Sequence, residues 1–130
     1  MTGRFWIASG ALLAGAAVVA GAMGTHYLKE TLHVGESELQ TYDVAVRYQM
    51  HHAMALLLVG LLAGRTQCRC LRISGGLFLL GIGLFSGGLY AWLATGIKPL
   101  VHVVPVGGLA WIVAWLLLAW TAIRPQTDAP

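Results

Sequence analysis

Four long apolar stretches constrain the fold of this chain more than any other feature. They run near residues 5–24, 48–64, 73–93 and 103–123, and a helix needs about 20 residues to cross a bilayer. Hydrophobic residues make up 58% of the chain and charged residues only 10%, whereas a soluble domain carries about 25% charged residues. Because so little polar surface is available, lipid must cover the apolar residues. The sequence predicts an all-α integral membrane protein, a bundle of four transmembrane helices.

The basic residues predict how the bundle is oriented. An even number of spans places both termini and the middle loop on one side of the membrane. Cytoplasmic loops carry an excess of Lys and Arg, so the more basic side is predicted to be cytoplasmic. That side carries Arg4, Arg65, Arg69, Arg72 and Arg124, and the opposite side carries Lys29, Arg47 and Lys98. We therefore expect cytoplasmic termini, with Trp6 and Trp120 at the inner interface of a bacterial inner membrane.

The predicted organisation is one domain over residues 1–124, followed by a short polar tail over residues 125–130. The first span also resembles a signal peptide, because Arg4 precedes it and small residues end it. Its apolar stretch of about 20 residues exceeds the roughly 7–15 residues of a signal sequence. We therefore expect it to remain in the protein as a membrane helix.

Two cysteines, Cys68 and Cys70, fall in the predicted cytoplasmic loop. A reducing compartment disfavours a disulfide there, and two thiols alone make a poor metal site. We expect cysteines that neither pair nor bind a metal.

Small residues recur at helical spacing and predict where the helices touch. In lipid, helices associate largely through close backbone contact at such stripes. The stripes are Ala16-Ala20-Gly24 and Ala17-Gly21-Thr25 in the first span, Gly60 with Gly64 in the second, and Gly83 with Gly87 in the third.

Two segments outside the apolar stretches carry helix-start signals. Ser37-Glu38-Leu39-Gln40 fits a capping box, so we expect the second helix to begin near Glu38, before it enters the membrane. Pro105 allows two interpretations. It is either the first-turn proline of a helix that begins there or a kink in a helix that begins at Leu100.

A layer of polar residues is predicted at the outer end of the bundle, built from three spans and a loop. Helical phase places Tyr48 and His52 on one face and His51 with Arg47 on another, so only one histidine of this pair points inward. The candidate layer consists of His26, Tyr48, Gln49, His52, Ser86, Tyr90 and His102.

Several interpretations of this layer stay open. Its members form a structural hydrogen-bond network, a metal or haem site, a pocket for a quinone, a lipid head group or a small molecule, or a transport path. No ligand spacing supports a metal, and no acidic residue lies within the spans to carry protons. Catalysis has the least support, because Ser86 lacks the G-x-S-x-G elbow of a serine hydrolase.

Four motifs in order carry a family resemblance: Gly21-Ala22-Met23-Gly24-Thr25-His26, Tyr48-Gln49-Met50-His51-His52-Ala53, Leu84-Phe85-Ser86-Gly87-Gly88-Leu89-Tyr90 and Pro105-Val106-Gly107-Gly108. From the first span to Trp115, the chain resembles the YgdD family of small bacterial inner-membrane proteins, which is related to the mitochondrial transmembrane protein 256. The resemblance implies a four-helix membrane protein whose function is not established. It matches the family's motif histidine to His52 rather than His51.

The chain departs from this family's pattern at Thr25, Gly88, Val104 and Ala114, where alanine, serine, threonine and glycine are expected. The hydroxyl groups missing at Gly88 and Val104 weaken the hypothesis of a finely tuned hydrogen-bonding site, whereas packing tolerates these changes.

The function that we predict is a non-enzymatic accessory or scaffold component of a membrane assembly or a homo-oligomer. Its expected partners are the lipid bilayer and other membrane proteins or itself, with no cofactor. Nucleic acid is excluded as a partner because no basic run is interleaved with aromatic residues. The alternative is a binding protein with an outer-leaflet polar pocket for a lipid, quinone, haem or metal.

Overall fold

The computed structural model describes residues 3–30, 33–65 and 68–123. Arg124 and the predicted tail over residues 125–130 lie outside these ranges. The described residues form four helices without a strand, which confirms the all-helical prediction. The helices are α1 (Gly3–Lys29), α2 (Glu36–Ala63), α3 (Arg69–Thr95) and α4 (Lys98–Ile123).

Three of these helices, α1, α3 and α4, are long and apolar enough to cross a membrane. Helix α2 is not among them, because charged residues such as Glu38, Asp43 and Arg47 occupy its first half and two histidines follow. The prediction of four transmembrane helices is therefore supported for three of the four helices.

Two helices contain π-helical stretches, in which each backbone N–H bonds to the carbonyl five residues back rather than four. Helix α1 is π-helical over Met23–Lys29. Helix α3 is π-helical over Ile82–Ser86, between two α-helical segments. Both stretches lie in the half of the bundle that carries the candidate polar layer.

Helix α2 begins at Glu36, slightly earlier than predicted. Its N-cap is Gly35, whose backbone is extended and whose carbonyl accepts a hydrogen bond from the Leu39 N–H at 3.0 Å. The predicted capping box is wrong, because Ser37 lies inside the helix. The Ser37 carbonyl accepts a hydrogen bond from the Thr41 hydroxyl at 2.9 Å.

Helix α4 begins as a 3₁₀ helix over Lys98–Val103 and becomes α-helical at Val104. Pro105 therefore lies in the first turn of the α-helical part, where its missing N–H leaves no hydrogen bond unmade. The structure agrees with the interpretation of Pro105 as a first-turn proline.

The core lies where α2, α3 and α4 meet the N-terminal part of α1. It consists of Trp6, Ala55, Leu56, Val59, Leu71, Phe78, Ile82, Trp111 and Ala114. The Trp6 side chain is fully buried and packs against Gly75, where an added Cβ would lie 2.9 Å from the indole. The Trp6 ring therefore lies between the helices, because a small residue on α3 leaves room for it there. Its level at the inner membrane interface stays a prediction.

Close backbone contact joins α1 and α2. A Cβ placed on Gly3 would lie 2.6 Å from the Gly60 carbonyl oxygen, and one placed on Gly10 would lie 2.8 Å from the Ala53 carbonyl oxygen. The predicted contact at Gly60 is confirmed. Gly64, its partner in the stripe, also lies near α1, since the same Cβ on Gly3 would lie 3.5 Å from the Gly64 backbone nitrogen.

The stripes of α1 and α3 face their neighbours only in part. On α1, Ala17 is buried and Gly21 approaches Val46, whereas Ala16 is exposed. The side chain of Thr25 is not among those that the structure describes. On α3, the predicted contact at Gly83 is wrong, since a Cβ there would meet nothing within 4 Å. Two glycines of α3 face α4 instead: Gly81, beside the Trp111 indole, and Gly88, beside Val103 and Val104.

Candidate functional site

A single buried amide joins three helices within the predicted polar layer. Gln49 of α2 is 6% exposed. Its Nε2 donates a hydrogen bond to the Leu13 carbonyl of α1 at 2.9 Å. Its Oε1 accepts a hydrogen bond from the Tyr90 hydroxyl of α3 at 3.0 Å. A buried amide is costly unless it is paired, and here both ends of the side chain are paired.

Ser86 provides a second connection between α3 and α2. Its side chain is fully buried, at the end of the π-helical stretch of α3. The Ser86 hydroxyl donates a hydrogen bond to the Ala45 carbonyl at 2.8 Å. Since Ala45 lies about one helical turn before Gln49, the two connections hold α3 against one face of α2.

His52 is the inward member of the histidine pair, as helical phase and the family resemblance predict. It is 6% exposed, and its Nδ1 lies 2.7 Å from the Tyr48 carbonyl oxygen. Because a carbonyl only accepts, Nδ1 carries the proton and donates. The imidazole stacks in parallel on the indole of Trp111, with ring centroids 3.7 Å apart.

Aromatic rings surround His52 on several sides. The rings of Phe78 and Trp115 lie 5.9 and 6.2 Å from it. Trp111, which stacks on His52, donates its indole N–H to the Phe78 carbonyl at 3.2 Å. The environment of His52 is therefore a packed aromatic cluster rather than a set of ligand-binding polar groups.

Tyr48 lies at the edge of this cluster and His51 lies outside it. The Tyr48 side chain is 43% exposed, and its ring stacks against that of Trp111 at 5.7 Å. His51 is exposed. Arg47, which shares a face with His51, pairs instead with Asp43 through an i,i+4 ion pair of 3.0 Å.

The other two candidate residues, His26 and His102, lie at the surface. His26 is exposed, with its Nδ1 3.8 Å from a carboxylate oxygen of Glu30. His102 is exposed in the 3₁₀ part of α4. The structure thus connects Gln49, Ser86 and Tyr90 through hydrogen bonds and places Tyr48 and His52 in an aromatic cluster beside them. It does not bring His26 and His102 to either group.

Within the described parts of the chain, no group of three or more His, Cys, Asp or Glu side chains could hold a metal ion. Cys68 precedes α3 and Cys70 lies in its first turn, and both are half-buried. The charged side chains of the described ion pairs are all at the surface.

Three further connections were not predicted. The Tyr42 hydroxyl donates to the Ala20 carbonyl at 2.8 Å, and the Ser74 hydroxyl donates to the Ala114 carbonyl at 2.8 Å. The third is the bond from the Trp111 indole to Phe78. The available signal was a hydroxyl or indole N–H within an apolar span, because such a group is expensive in lipid unless it is paired. The buried donors of Gln49, Ser74, Ser86 and Trp111 bond to backbone carbonyls of neighbouring helices. The buried indole N–H of Trp6 has no hydrogen-bond partner among the described residues.

Comparison with known proteins places the chain in a family. Residues 20–108 match the family described as "Protein of unknown function (DUF423)". A UPF0382 membrane protein of Staphylococcus aureus strain bovine RF122 is 37% identical over 115 residues, which cover 88% of this chain and 92% of the relative. The UPF0382 membrane protein YwdK of Bacillus subtilis strain 168 is 34% identical over 122 residues, which cover 93% and 98%.

No solved structure matches the chain. The predicted resemblance to the YgdD family is consistent with the DUF423 match. Since that match spans most of the chain and the relatives are aligned over nearly their whole length, the chain belongs to the DUF423 family of uncharacterised membrane proteins.

Proposed function

We propose that this protein is a non-enzymatic scaffold or accessory subunit of a membrane assembly, formed with other membrane proteins or with further copies of itself. The strongest support comes from the hydrogen bonds that the polar groups inside the bundle form. Gln49, Ser86 and Tyr90 direct their hydrogen atoms to backbone carbonyls or to one another. These groups therefore fix the helices relative to one another and leave the outer surface for interaction.

The proposed topology has all four helices in the membrane. Helix α2 is too polar to be surrounded by lipid on all sides, but the other helices shield its polar side, including Gln49 and His52. Its remaining face carries exposed apolar residues at Met54, Leu58 and Leu61. We place both termini in the cytoplasm of a bacterial cell, across the inner membrane, because the arginine excess lies on that side.

The native cysteines allow this topology to be tested. Cys68 and Cys70 lie at the end of the bundle that we place in the cytoplasm, and Ser37 lies at the other end. A membrane-impermeant maleimide is expected to label the native cysteines only after the cells are permeabilised. In a variant with both cysteines replaced by serine, Ser37→Cys is expected to be labelled in intact cells. Labelling of Cys68 or Cys70 in intact cells would contradict the topology.

The outer surface has the character that such a role requires. Large apolar side chains project from α1 and α4, including Leu12, Val18, Leu109, Ile112 and Leu116, each more than half exposed. Lipid covers this kind of surface by default, and a second membrane protein can replace that lipid through van der Waals packing.

The proposed role is tested by native mass spectrometry after purification in a mild detergent at native expression level. We expect a complex heavier than the 13.8 kDa chain, either a multiple of that mass or the chain with a reproducible second protein. The control is another membrane protein of similar size purified in the same way. A stable monomer without a protein partner would sink the proposal.

A further inference from the structure

An open cleft lies at the end of the bundle where α1 ends and α2 begins. Its volume is about 420 Å³, within the range of roughly 300–1,000 Å³ that small-molecule pockets occupy. We call it the tyrosine cleft. Its main lining residues come from α1, α2 and α3 and are Ala20, Leu28, Glu38, Tyr42, Tyr90 and Leu93.

Two tyrosines line this space, Tyr42 from α2 and Tyr90 from α3. Each phenol has one proton, which Tyr42 donates to the Ala20 carbonyl and Tyr90 donates to Gln49. A hydroxyl that donates its proton keeps lone pairs that accept hydrogen bonds. The two rings lie 5.4 Å apart and are tilted by 54°, so they form an aromatic corner.

Glu38 gives the cleft a negative charge. Among the described lining residues it is the only charged one, and it forms no ion pair with a residue in the described ranges. Two basic side chains of α1 and α2 have other partners, since Lys29 pairs with Glu36 at 3.9 Å and Arg47 pairs with Asp43.

We propose that the tyrosine cleft binds an alkylammonium compound, a cationic amine that carries an apolar chain. The Glu38 carboxylate accepts hydrogen bonds from the ammonium group, and the tyrosine rings attract the cation through their faces. The aliphatic walls at Leu28 and Leu93 cover the chain, whose transfer from water is favourable. This binding site goes beyond the scaffold role and does not depend on it.

The probe for this proposal is dodecylammonium chloride, titrated into the full-length protein in phosphatidylcholine nanodiscs. The protein carries 3-fluorotyrosine, so that each of its four tyrosines gives a ¹⁹F NMR signal. We expect saturable shifts at Tyr42 and Tyr90, while Tyr48, which lies in the aromatic cluster, stays unchanged. Dodecyl sulfate at the same concentrations is expected to leave all the signals in place.

Matched charge variants separate the cleft from general surface attraction. Glu38→Gln is expected to weaken dodecylammonium binding about tenfold, as loss of a charge-assisted contact implies. Glu30→Gln removes the same charge outside the cleft lining without freeing a lysine or an arginine beside it, and is expected to change binding less than twofold. Both residues are exposed, so folding is preserved. Equal weakening by both variants, or equal shifts with dodecyl sulfate, would overturn the proposal.

The source of the amine is identified by repeating the titration in nanodiscs that contain phosphatidylethanolamine. If this lipid occupies the cleft, dodecylammonium binds more weakly to the wild-type protein, and the loss is absent in Glu38→Gln. If binding is unchanged, the cleft selects a dissolved amine over the lipid. Both results support an alkylammonium site, whereas failure of Tyr42 and Tyr90 to shift in either membrane contradicts it.

Discussion

Helices α1 and α2 meet backbone to backbone, whereas the seam between α3 and α4 also encloses an aromatic ring. In the first seam, Gly3 lies against the Gly60 carbonyl, and Gly60 in turn leaves room for Ile7. In the second seam, the space left by Gly81 is filled by the Trp111 indole, and Gly107 lies against the backbone of Phe85. Glycines thus bring backbones together in both seams, and Gly81 in addition admits a large ring.

The hydrogen bonds of the two seams differ in a corresponding way. Across the first seam, long side chains reach a partner carbonyl, as Gln49 does at Leu13 and Tyr42 does at Ala20. Across the second seam, the donors are the short Ser74 side chain and the rigid Trp111 indole. The α1–α2 seam is therefore held by long side chains that reach a carbonyl of the other helix, whereas the α3–α4 seam depends on how closely the side chains of the two helices fit together.

The largest effect is expected from volume added to the α3–α4 seam. In Gly81→Ala the new Cβ would overlap the Trp111 indole, which cannot retreat because it stacks on His52. Overpacking costs about 1–3 kcal/mol, partly offset by the helix propensity of alanine, worth about 1 kcal/mol. We expect a net loss of up to about 2 kcal/mol in the free energy of unfolding, measured by reversible denaturation in mixed micelles.

Gly83→Ala is the matched control for this experiment. It makes the same change two residues along the same helix, where a Cβ would meet no atom within 4 Å. We expect a neutral result or stabilisation of up to about 1 kcal/mol. If the two variants are equally stable, the indole does not fill the space beside Gly81 and the contrast between the seams fails.

A smaller effect is expected from the α1–α2 seam when Gln49 is replaced by Leu. This change removes the bonds to Leu13 and Tyr90, and interhelical hydrogen bonds in membranes contribute about 0.6 kcal/mol each. We expect a loss of about 1 kcal/mol, and of about 0.6 kcal/mol for Tyr90→Phe. The same denaturation measurement on the double variant should show coupling, so that the two losses together are less than additive. Strict additivity would argue against the Gln49–Tyr90 bond.

The sequence predicted the elements of this fold well because lipid imposes a simple rule on helix length and composition. It also identified His52 over His51, since one helical step turns neighbouring residues onto different faces. It identified Gly60 at the α1–α2 seam but not Gly81 at the α3–α4 seam. Gly81 and Gly83 are indistinguishable by spacing alone, and only the position of Trp111 on another helix makes Gly81 the contact residue.

For the candidate site, the sequence predicted how far along each helix the residues lie but, apart from His52, not which way their side chains point. Spacing along each helix placed His26 and His102 near the level of Gln49, but the rotation of a helix about its own axis depends on packing that a single sequence does not contain. Both histidines are at the surface, and Tyr42, which reaches across to α1, was not recognised. Polar residues at a common depth therefore predicted a layer. In the structure, only the polar side chains that point into the bundle form the hydrogen bonds between helices.

The π-helical stretch at Ile82–Ser86 bears on how the length of α3 can vary. A π-helical turn holds one residue more than an α-helical turn, because its hydrogen bonds span five residues rather than four. Loss of one residue here, at exposed Gly83 for example, would restore regular α-helix and keep Phe78 and Tyr90 turned toward their present neighbours. The same loss in a regular segment would rotate everything beyond it by about 100°. The π-helical stretch can therefore lose one residue without a change in which way the two ends of α3 face.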